Sequence, residues 1–432
     1  MVLEKPLVCR ASAADWQAAD SERNVINKHL KLLVITQFFP PDFAATGQLV
    51  EELVVQLGLQ DVDVKVFTGQ PGYAFAKQDA PEVEQTGRVW VQRSCTTQLF
   101  SRRIRGKAIN GMLFAVRAVI HLLKQFRRYK VLLVTTAPPF LPMIGCIINV
   151  LFGLPYVCLL YDLYPDIAVE LKVVAVNNPI ARLWRWINCQ VWRRSAGIIV
   201  LSDSMKAKIV AHCPEVEAKI SVIHSWADEQ KIVPIPKAEN WFVEKHGLGE
   251  HFVVLYSGNM GRCHDIDTLF EAAKLLKDDS VLFVCIGGGA KRESLVKRVA
   301  EAALENFRFL PYQEKSALPY SLTAGDLSLV SVAVGMESLV APSKLYPAMA
   351  AGRPISAICP SGSYLSELLK TAGCGETFEN GSAAALADFI RGLSQDKART
   401  QLLGRSGRAY LESHFTPKII AKEYLKVIES AG

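Results

Sequence analysis

The 432-residue sequence is poor in charge and has no recognisable cysteine pattern. Only 21% of its residues are charged and 50% are hydrophobic, which excludes a disordered protein. Its ten cysteines form no C-x-x-C pair and none has a zinc-like spacing with histidine, so a structural zinc site is not indicated. Several cysteines lie within apolar runs, as Cys285 does, and we therefore predict a reduced, cytoplasmic protein.

Apolar runs of membrane-spanning length are also missing. Residues 137–161 carry no charge, but prolines interrupt them. The longest proline-free part, residues 143–154, is shorter than the ~20 residues that a spanning helix needs. We predict a buried helix there, followed by a buried strand at Tyr156–Leu160. Residues 1–28 have no signal-peptide core and are predicted to be a loose extension.

Short apolar runs alternate with helical patterns along the rest of the chain. Strands that are apolar throughout are buried on both faces, as in parallel α/β sheets. The alternation starts at residues 32–35 and restarts at residues 252–256, after a proline-containing linker. The predicted fold class is therefore α/β, with two Rossmann-like doubly wound domains at residues 29–228 and 229–415.

The common nucleotide-binding fingerprints are absent. The chain has no G-x-G-x-x-G after its first strand and no P-loop G-x-x-x-x-G-K-[ST], so a dehydrogenase or a simple ATPase is disfavoured. In open α/β sheets, ligands bind beyond the carboxyl ends of the strands. Five strand-to-helix loops at such positions carry the candidate residues.

Two of these loops lie in the first predicted domain. The loop at residues 40–48 contains Gly47 and would lie close to a donor phosphate or an acceptor, although a turn capped near Thr46 is the alternative. Asp162 follows a buried strand and is placed to hold or deprotonate an acceptor hydroxyl, unless it is merely solvated. Asp166 is as well suited to capping a helix.

The first strand of the second domain is followed by a glycine-containing turn. Gly258 and Gly261 would let the backbone approach a diphosphate, with Asn259 between them. Arg262 could hold that diphosphate through a forked contact. His264 is either a ligand contact or a surface residue, because a partly exposed turn suits both.

Two further loops of the second domain could bind phosphate or nucleotide. Ser343 and Lys344 are predicted to begin a helix, whose N-terminus and lysine charge would attract a phosphate. Simple capping by Ser343 is the alternative. Gly287 and Gly288 belong to a run of three glycines that would let a nucleotide lie against the backbone, or would form a flexible turn.

In their order and placement, these motifs resemble those of retaining GT-B glycosyltransferases of family 4. The resemblance is strongest to the bacterial branch that makes O-antigen, colanic acid and related exopolysaccharides, and it covers residues 31–428. It rests on QFFPP at 37–41, TGQ at 46–48, DLYP at 162–165, YSGNMGR at 256–262, PSK at 342–344 and AGRP at 351–354.

The resemblance implies a hexosyltransferase-type enzyme without metal or cofactor, in which two domains face a central cleft. The second domain would bind a nucleotide-diphosphate sugar, the first would bind the acceptor, and a helix at 416–432 would cross back to the first. Candidate catalytic residues are Asp162, Arg262 and Lys344, the two cations stabilising charge that develops on the leaving diphosphate. Candidate donor-binding residues are Gly47, Gly258, Asn259, Gly261, His264, Gly287, Gly288 and Ser343.

The chain departs from the family pattern at several positions. Leu339 and Pro347 stand where many members have two glutamates, and Glu337 lies two residues before the first. Asn259 and His264 stand where an arginine and a lysine often bind the diphosphate. The envelope-polysaccharide branch tends to show these variations, so we interpret them as marks of a subfamily.

Acidic residues are absent between Gln92 and Lys130, where ten lysines and arginines lie. The whole chain has a net charge of +7, so the remainder is slightly acidic, 7 − 10 = −3. Apolar residues interleave with the basic ones, as is typical of segments that bind anionic membranes. A second basic cluster at residues 182–194 contains tryptophans, which favour membrane interfaces. No nucleic-acid motif accompanies either cluster.

The sequence thus predicts a peripheral enzyme on the cytoplasmic face of the plasma membrane. It would transfer a sugar from a nucleotide-diphosphate sugar to a lipid-linked (polyprenyl) saccharide in envelope polysaccharide, lipopolysaccharide or glycolipid synthesis. A GT-B nucleotide-sugar epimerase, which needs no lipid acceptor, is one alternative. A non-catalytic scaffold of a polysaccharide-assembly complex, suggested by the missing glutamates, is another.

Overall fold

The computed structural model describes residues 30–42, 44–71, 80–94 and 104–432, with side chains from residue 109 onward in the helix that begins at Ile104. The predicted extension at residues 1–28 lies outside the described residues. So do Arg102 and Arg103 of the basic segment, and the side chains of Arg105 and Lys107.

The first half of the chain forms one eight-stranded sheet with flanking helices. Its strands are β1 (Lys31–Ile35), β2 (Asp63–Gly69), β3 (Val83–Thr86), β4 (Val89–Ser94), β5 (Val131–Thr135), β6 (Tyr156–Leu160), β7 (Gly197–Val200) and β8 (Ile220–Val222). Its α-helices are α1 (Ala45–Leu59), α2 (Ile104–Gln125), α3 (Leu141–Phe152), α4 (Asp166–Glu170), α5 (Pro179–Arg194) and α6 (Asp203–His212). The strand order is β3-β4-β2-β1-β5-β6-β7-β8, and only the β3–β4 pair is antiparallel.

The second half forms a six-stranded, fully parallel sheet. Its strands are β9 (Phe252–Ser257), β10 (Val281–Ile286), β11 (Phe307–Leu310), β12 (Leu327–Ser331), β13 (Ile355–Ile358) and β14 (Gly375–Phe378). Its α-helices are α7 (Trp241–His246), α8 (Asp267–Leu275), α9 (Arg292–Glu301), α10 (Leu318–Thr323), α11 (Leu345–Ala350), α12 (Tyr364–Ala372), α13 (Ala383–Gln395) and α14 (Lys397–His414). The order is β11-β10-β9-β12-β13-β14. The predicted doubly wound α/β class is confirmed.

The last helix returns to the first sheet. Helix α15 (Pro417–Ala431) packs on α1 and on strands β5, β6 and β7. Its buried residues Ile420, Tyr424 and Ile428 follow the helical spacing of four, and Thr416 accepts a hydrogen bond from the amide of Ile419 at its start. The helix therefore joins the core of the half in which the chain began.

Three strands are not predicted by the apolar runs. The edge strand β3 has no fully buried residue, β14 lies at the other sheet's edge with one, and β4 alternates buried and half-buried positions. These strands bury only part of their surface, so they carry no continuous apolar run.

Two sequence predictions about the first half are wrong. Helix α3 is not buried all round: Ile147, Val150, Leu151 and Phe152 are 39–60% exposed, while its other face packs in the core. Arg93 does not belong to a basic surface, because it is buried and its guanidinium pairs with Glu84. No helix within the described ranges is long and apolar enough to cross a bilayer.

Candidate functional site

Both sheets contain a point where the strand order reverses. In the first sheet this point lies between β1 and β5, and in the second between β9 and β12. The carboxyl ends of the strands at such points are where open α/β sheets bind ligands. The loops that carry the predicted site residues follow β1, β6, β9, β10 and β12, so the topology brings most of them to these two edges.

A cavity of about 250 Å³ lies beside the switch point of the second sheet and reaches the first half. Gly258 and Ser343, two of the predicted donor-binding residues, and Lys344, a predicted catalytic residue, line one side of it. Helix α1 and residues 226–232, which connect the two halves, line the other. Apolar side chains of α10 and β9 complete the wall, as in many ligand pockets that combine an apolar surface with a few polar groups.

Lys231 and Lys315 line this cavity in ion pairs with carboxylates, and the third lysine of its wall is Lys344. Its Nζ donates to the carbonyl oxygen of Asn259 at 3.0 Å, lies 3.3 Å from Nε2 of His264, and sits 5.1 Å from the ring centre of Tyr256. No carboxylate lies within ion-pair distance of it in the described part of the chain. Burial lowers the pKa of Lys344 to about 7. An anion bound in the cavity would therefore be its first counter-ion.

His264 holds this lysine in place. Its Nδ1 lies 2.8 Å from the carbonyl oxygen of Ser331, which can only accept, so Nδ1 carries the proton and Nε2 is free to accept from Lys344. Burial, and then the charge of Lys344, lower the pKa of His264 to about 3. The ring is therefore neutral at physiological pH. It orients Lys344 and adds no second positive charge.

The glycines of the second half allow two loops to touch. The amide of Gly258 donates to Ile286 at 2.8 Å, and the amide of Gly287 donates to Leu310 at 2.9 Å. A Cβ on Gly287 would overlap the carbonyl oxygen of Gly258, and Gly287 has a φ of 126°. A Cβ on Gly288 would lie 3.1 Å from the ring of Tyr312. The glycine run is thus packed and hydrogen-bonded, and is not a loose turn.

Gly47 and Gly261 are close-packed as well. A Cβ on Gly47 would lie 3.0 Å from the carbonyl group of Phe38, so the glycine lets α1 start against the loop that follows β1. A Cβ on Gly261 would lie 3.0 Å from Nδ2, the side-chain amide nitrogen of Asn259. These contacts position the two loops, and whether either loop touches a donor stays a prediction.

Asp162 lies where the two halves meet. It pairs with Val340 in an isolated β-bridge, and the amide of Leu163 donates to Leu339 at 3.2 Å. Burial raises the pKa of Asp162 to about 6. It has no ion-pair partner among the residues that the structure describes. A carboxylate without a cation at the junction of two domains is available to an acceptor hydroxyl.

Three other predicted residues lie differently from expectation. Asp166 caps no helix: it is the first residue of α4 and binds Arg185 of α5 at 2.9 Å. Ser343 lines the cavity, but α11 begins only at Leu345, so Ser343 and Lys344 precede it. Arg262 is exposed, and within the described ranges it makes no hydrogen bond or ion pair and does not line the cavity.

Several groups at the candidate site could not be predicted from the sequence. The carbonyl of Ser331 that fixes His264 is backbone, and the ring of Tyr256 ends an ordinary apolar strand. Trp226 donates from Nε1 to Glu52 at 2.9 Å across the cavity wall, and burial raises the pKa of Glu52. Oε2 of Glu337 is buried and has no hydrogen-bond partner among the described residues. Such pairings depend on tertiary structure alone.

Carboxylates with the spacing of metal ligands form ion pairs or hydrogen bonds with other side chains. The chain has D-x-D triplets at residues 61–63 and 265–267. Arg88 pairs with both aspartates of the first triplet. In the second, Asp265 accepts from Thr268 and Asn380. No group of three or more potential metal ligands occurs in the part of the chain that the structure describes.

Comparison with known proteins agrees with this geometry. The family model described as "Glycosyl transferase 4-like domain" matches residues 45–226, and "Glycosyl transferases group 1" matches residues 239–410. The probable glycosyltransferase WbjE of Pseudomonas aeruginosa is 28% identical over 91% of this chain and 96% of its own. The chain is a glycosyltransferase.

A second curated relative matches a smaller part of this glycosyltransferase. The putative colanic acid biosynthesis glycosyl transferase WcaI of Escherichia coli K12 is 34% identical over 140 residues, which is 32% of this chain and 34% of that protein. The two family models and WbjE together support glycosyl transfer over the epimerase and scaffold alternatives.

Solved structures confirm the GT-B fold of this glycosyltransferase. Sucrose-phosphate synthase from Thermosynechococcus elongatus superposes with a TM-score of 0.75 at 18% identity, covering 93% of this chain and 98% of that one. Anabaena HepE, in complex with UDP and glucose, superposes with a TM-score of 0.68 at 16% identity, covering 93% of this chain and 100% of that one. WaaG, a glycosyltransferase involved in lipopolysaccharide biosynthesis, superposes with a TM-score of 0.65 at 15% identity, covering 92% of this chain and 99% of that one.

Proposed function

We propose that this glycosyltransferase moves a hexose or modified hexose from a nucleotide-diphosphate sugar to a lipid-linked saccharide during synthesis of an envelope polysaccharide. The observation that carries the proposal is Lys344, a partly buried amino group without a carboxylate partner at the switch-point cavity. HepE is described with UDP and glucose, WcaI with colanic acid and WaaG with lipopolysaccharide, and these descriptions support the substrate classes.

In the proposed donor complex, the diphosphate lies between the Gly258 turn and Lys344, with the nucleoside in the cavity. Negative charge grows on the diphosphate as its bond to the sugar breaks. Lys344 is already directed by Asn259 and His264, so it stabilises that charge without reorganising. Arg262 is exposed and unpaired among the described residues, and we propose that it turns toward the diphosphate when the donor binds.

Asp162 would hold the acceptor hydroxyl. Its pKa of about 6 makes it a carboxylate at neutral pH, and it lies at the bridge between the halves. The resemblance to family 4 supports retention of configuration, with the departing phosphate taking the acceptor proton and no metal taking part. Asp162 then orients the hydroxyl and need not remove its proton.

An exposed apolar face of the first half supports docking to a membrane. Helix α2 buries one side, which includes Phe114, Ala118 and Leu122, and exposes another at intervals of one to four residues. The exposed side chains are Ile109, Met112, Leu113, Val116, Ile120 and Leu123. A helix with apolar residues on both sides requires a second apolar environment.

Two neighbouring helices extend this face. Helix α2 packs on α3, and α3 packs on α5. Helix α3 exposes four apolar side chains near its end, and α5 exposes Ile180, Leu183 and Trp186. We call the exposed apolar side chains of α2, α3 and α5 the docking face. Together with Val173 and Val176 they are 15 of the 22 exposed large hydrophobic residues of the described chain.

Positive charges accompany the docking face. Arg117 and Lys124 are exposed on the same side of α2, by their spacing of four from Leu113 and Ile120, and Arg127, Lys130 and Arg182 are exposed nearby. An apolar surface with basic residues complements an anionic bilayer, where each cation contributes about 1 kcal/mol. We therefore propose peripheral attachment to the cytoplasmic face of the plasma membrane.

The test of the function is a transfer assay with UDP-, GDP- and dTDP-sugars and polyprenyl-linked saccharides in vesicles. Release of nucleoside diphosphate only when donor and acceptor are both present is the expected result. Interconversion of the donor sugar without an acceptor would instead establish the epimerase alternative. NMR analysis of the product's anomeric configuration tests retention.

A further inference from the structure

Exposed apolar side chains continue beyond the docking face, on the short segment between α4 and α5. Val173 and Val176 in this segment are 62% and 66% exposed. The segment is not a detached loop, because the amides of Val173 and Val174 donate to the carbonyl of Ala168 at 2.9 and 3.2 Å. Two apolar side chains are thus held in an ordered position near water, although burial would be favourable for both.

This segment connects the candidate acceptor carboxylate to the docking face. Helix α4, on which it folds, begins four residues after Asp162. Helix α5, which follows it, carries the exposed row that starts at Ile180 and is tied back to α4 by the Arg185–Asp166 ion pair. Along the chain, the two valines therefore lie between Asp162 and the exposed apolar row of α5.

The second half contributes a third exposed valine, in a loop that packs against α4. Val334, in the loop after β12, is 67% exposed. The next residue, Gly335, has its backbone against the carboxylate of Glu170 at the end of α4, so closely that a Cβ there would overlap it. The same loop forms the bridge between Val340 and Asp162. Exposed apolar side chains thus stand on both halves near the contact between α4 and the loop after β12.

We propose that Val173, Val176 and Val334, here called the valine mouth, bind the isoprenoid chain of the acceptor next to its diphosphate. This inference rests on the proposed lipid-linked acceptor. An acceptor whose lipid stays in the bilayer must bring its saccharide to Asp162, so a short stretch of chain leaves the membrane beside the cleft. The valine mouth covers that stretch, which would otherwise be exposed to water.

Photocross-linking tests the proposal without knowledge of the saccharide. A farnesyl diphosphate that carries a benzophenone is added to the full-length protein on vesicles of phosphatidylglycerol and phosphatidylcholine, and labelled peptides are mapped by mass spectrometry. We expect labelling in residues 171–178 or 333–336, and at least tenfold less after addition of undecaprenyl phosphate. Labelling confined to α2 and α3 would overturn the proposal.

A triple variant separates the valine mouth from the docking face. Val173→Ser, Val176→Ser and Val334→Ser together should lower the labelling about tenfold while vesicle flotation stays unchanged. Leu59→Ser, Leu275→Ser and Leu402→Ser remove comparably exposed side chains elsewhere and should leave both unchanged. Equal loss of flotation and labelling in the valine variant would assign these residues to membrane docking and refute the inference. Failure of the parent protein to float would contradict the proposed membrane attachment instead.

Discussion

At the scale of single residues, the protonation of Lys344 couples donor binding to pH. Burial leaves its pKa at about 7 in the unliganded protein, and a bound diphosphate would raise it by charge attraction. Binding of UDP should therefore take up one proton above pH 7. We expect its dissociation constant to rise about tenfold for each pH unit between 7.5 and 9.5, where a phosphate with a second pKa of about 6 is already ionised.

Calorimetric titration in buffers of different ionisation enthalpy would measure both the affinity and the proton uptake. Lys344→Ala should bind UDP weakly and without pH dependence, and should lower kcat/KM about 10²-fold or more. Lys344→Arg keeps its charge over this range and should lose the pH dependence while retaining some affinity. A pH-independent dissociation constant in the parent protein would contradict the role given to Lys344.

We expect the carboxylate of Asp162 to lower the free energy of unfolding while it supports activity. Its pKa is raised to about 6, so its contribution to stability is present near pH 4 and lost as the pH rises through 6. The charged carboxylate then costs up to about 3 kcal/mol. Asp162→Asn should raise the free energy of unfolding at pH 8 by roughly 1–3 kcal/mol, leave it nearly unchanged at pH 4, and reduce kcat about 10²-fold.

Chemical denaturation at the two pH values, together with the transfer assay, measures both effects. Asp166→Asn is the matched control, because it breaks the ion pair with Arg185 and should not stabilise the protein. Equal stabilities of the Asp162→Asn variant and the parent at pH 8 would show that this carboxylate is not desolvated. Unchanged turnover of the variant would show that the carboxylate is not used in the reaction.

Side-chain chemistry could be read from the sequence only where a residue type implies it. Gly258 is predicted as a donor-binding residue and Lys344 as a catalytic one, and both line one cavity. The partnership of His264 with Lys344 could not be predicted, because it depends on the carbonyl of Ser331 at the end of another strand. Arg262 stood out for its charge, but exposure keeps it out of the cavity in the unliganded structure.

At the scale of elements, the contact between the two glycine turns supports the donor site. Gly287→Ala would place a methyl group on the carbonyl of Gly258, at a φ of 126° that disfavours alanine. We expect a loss of about 3 kcal/mol or more in the free energy of unfolding, and weaker UDP binding because the Gly258 turn must move. Urea denaturation and calorimetry would measure the two effects.

Gly362→Ala separates backbone strain from the clash. Gly362 also has a positive φ, 79°, but an added Cβ would meet nothing within 4 Å. Its replacement should cost only about 1–2 kcal/mol and leave UDP binding intact. If the two variants lose equal stability, the contact between the glycine turns contributes nothing beyond strain.

Elements buried on both faces could be predicted from the sequence, and partly exposed ones could not. Strand β6 is found where its apolar run predicts it, whereas β3 and β14 lie at sheet edges and bury too little to form such runs. Helix α3 shows the opposite error. Its uniformly apolar sequence predicts burial, but one of its faces is exposed, since hydropathy does not distinguish a protein core from a membrane.

At the scale of the whole molecule, the small net charge conceals an uneven distribution of apolar and charged side chains between the two halves. Most exposed apolar side chains of the described chain, with basic residues beside them, lie on the first half, while Lys344 of the cavity lies on the second. The proposed docking would bring a lipid-linked acceptor to the first half and leave the second half open to a soluble nucleotide sugar. In this proposal the two substrates meet between Asp162 and Lys344.

This arrangement predicts that membrane attachment has separable electrostatic and apolar parts. Changing Arg117, Lys124 and Arg127 to Gln removes three exposed charges beside the docking face. Binding to vesicles that contain phosphatidylglycerol should fall about 10–100-fold at low salt, and the difference should shrink in 0.5 M salt because screening weakens the parent too. Lys370, Lys397 and Arg405 are equally exposed on the second half, and their replacement by Gln should leave binding unchanged.

The effect of the apolar part should not depend on salt. Ile120→Ser, Leu151→Ser and Trp186→Ser remove one exposed apolar side chain from each of α2, α3 and α5. Their combined loss should weaken flotation at every salt concentration, because burial of apolar surface is not screened. If the apolar variant instead floats like the parent but elutes as a smaller species in size-exclusion chromatography, the face binds a second copy of the chain and not a bilayer.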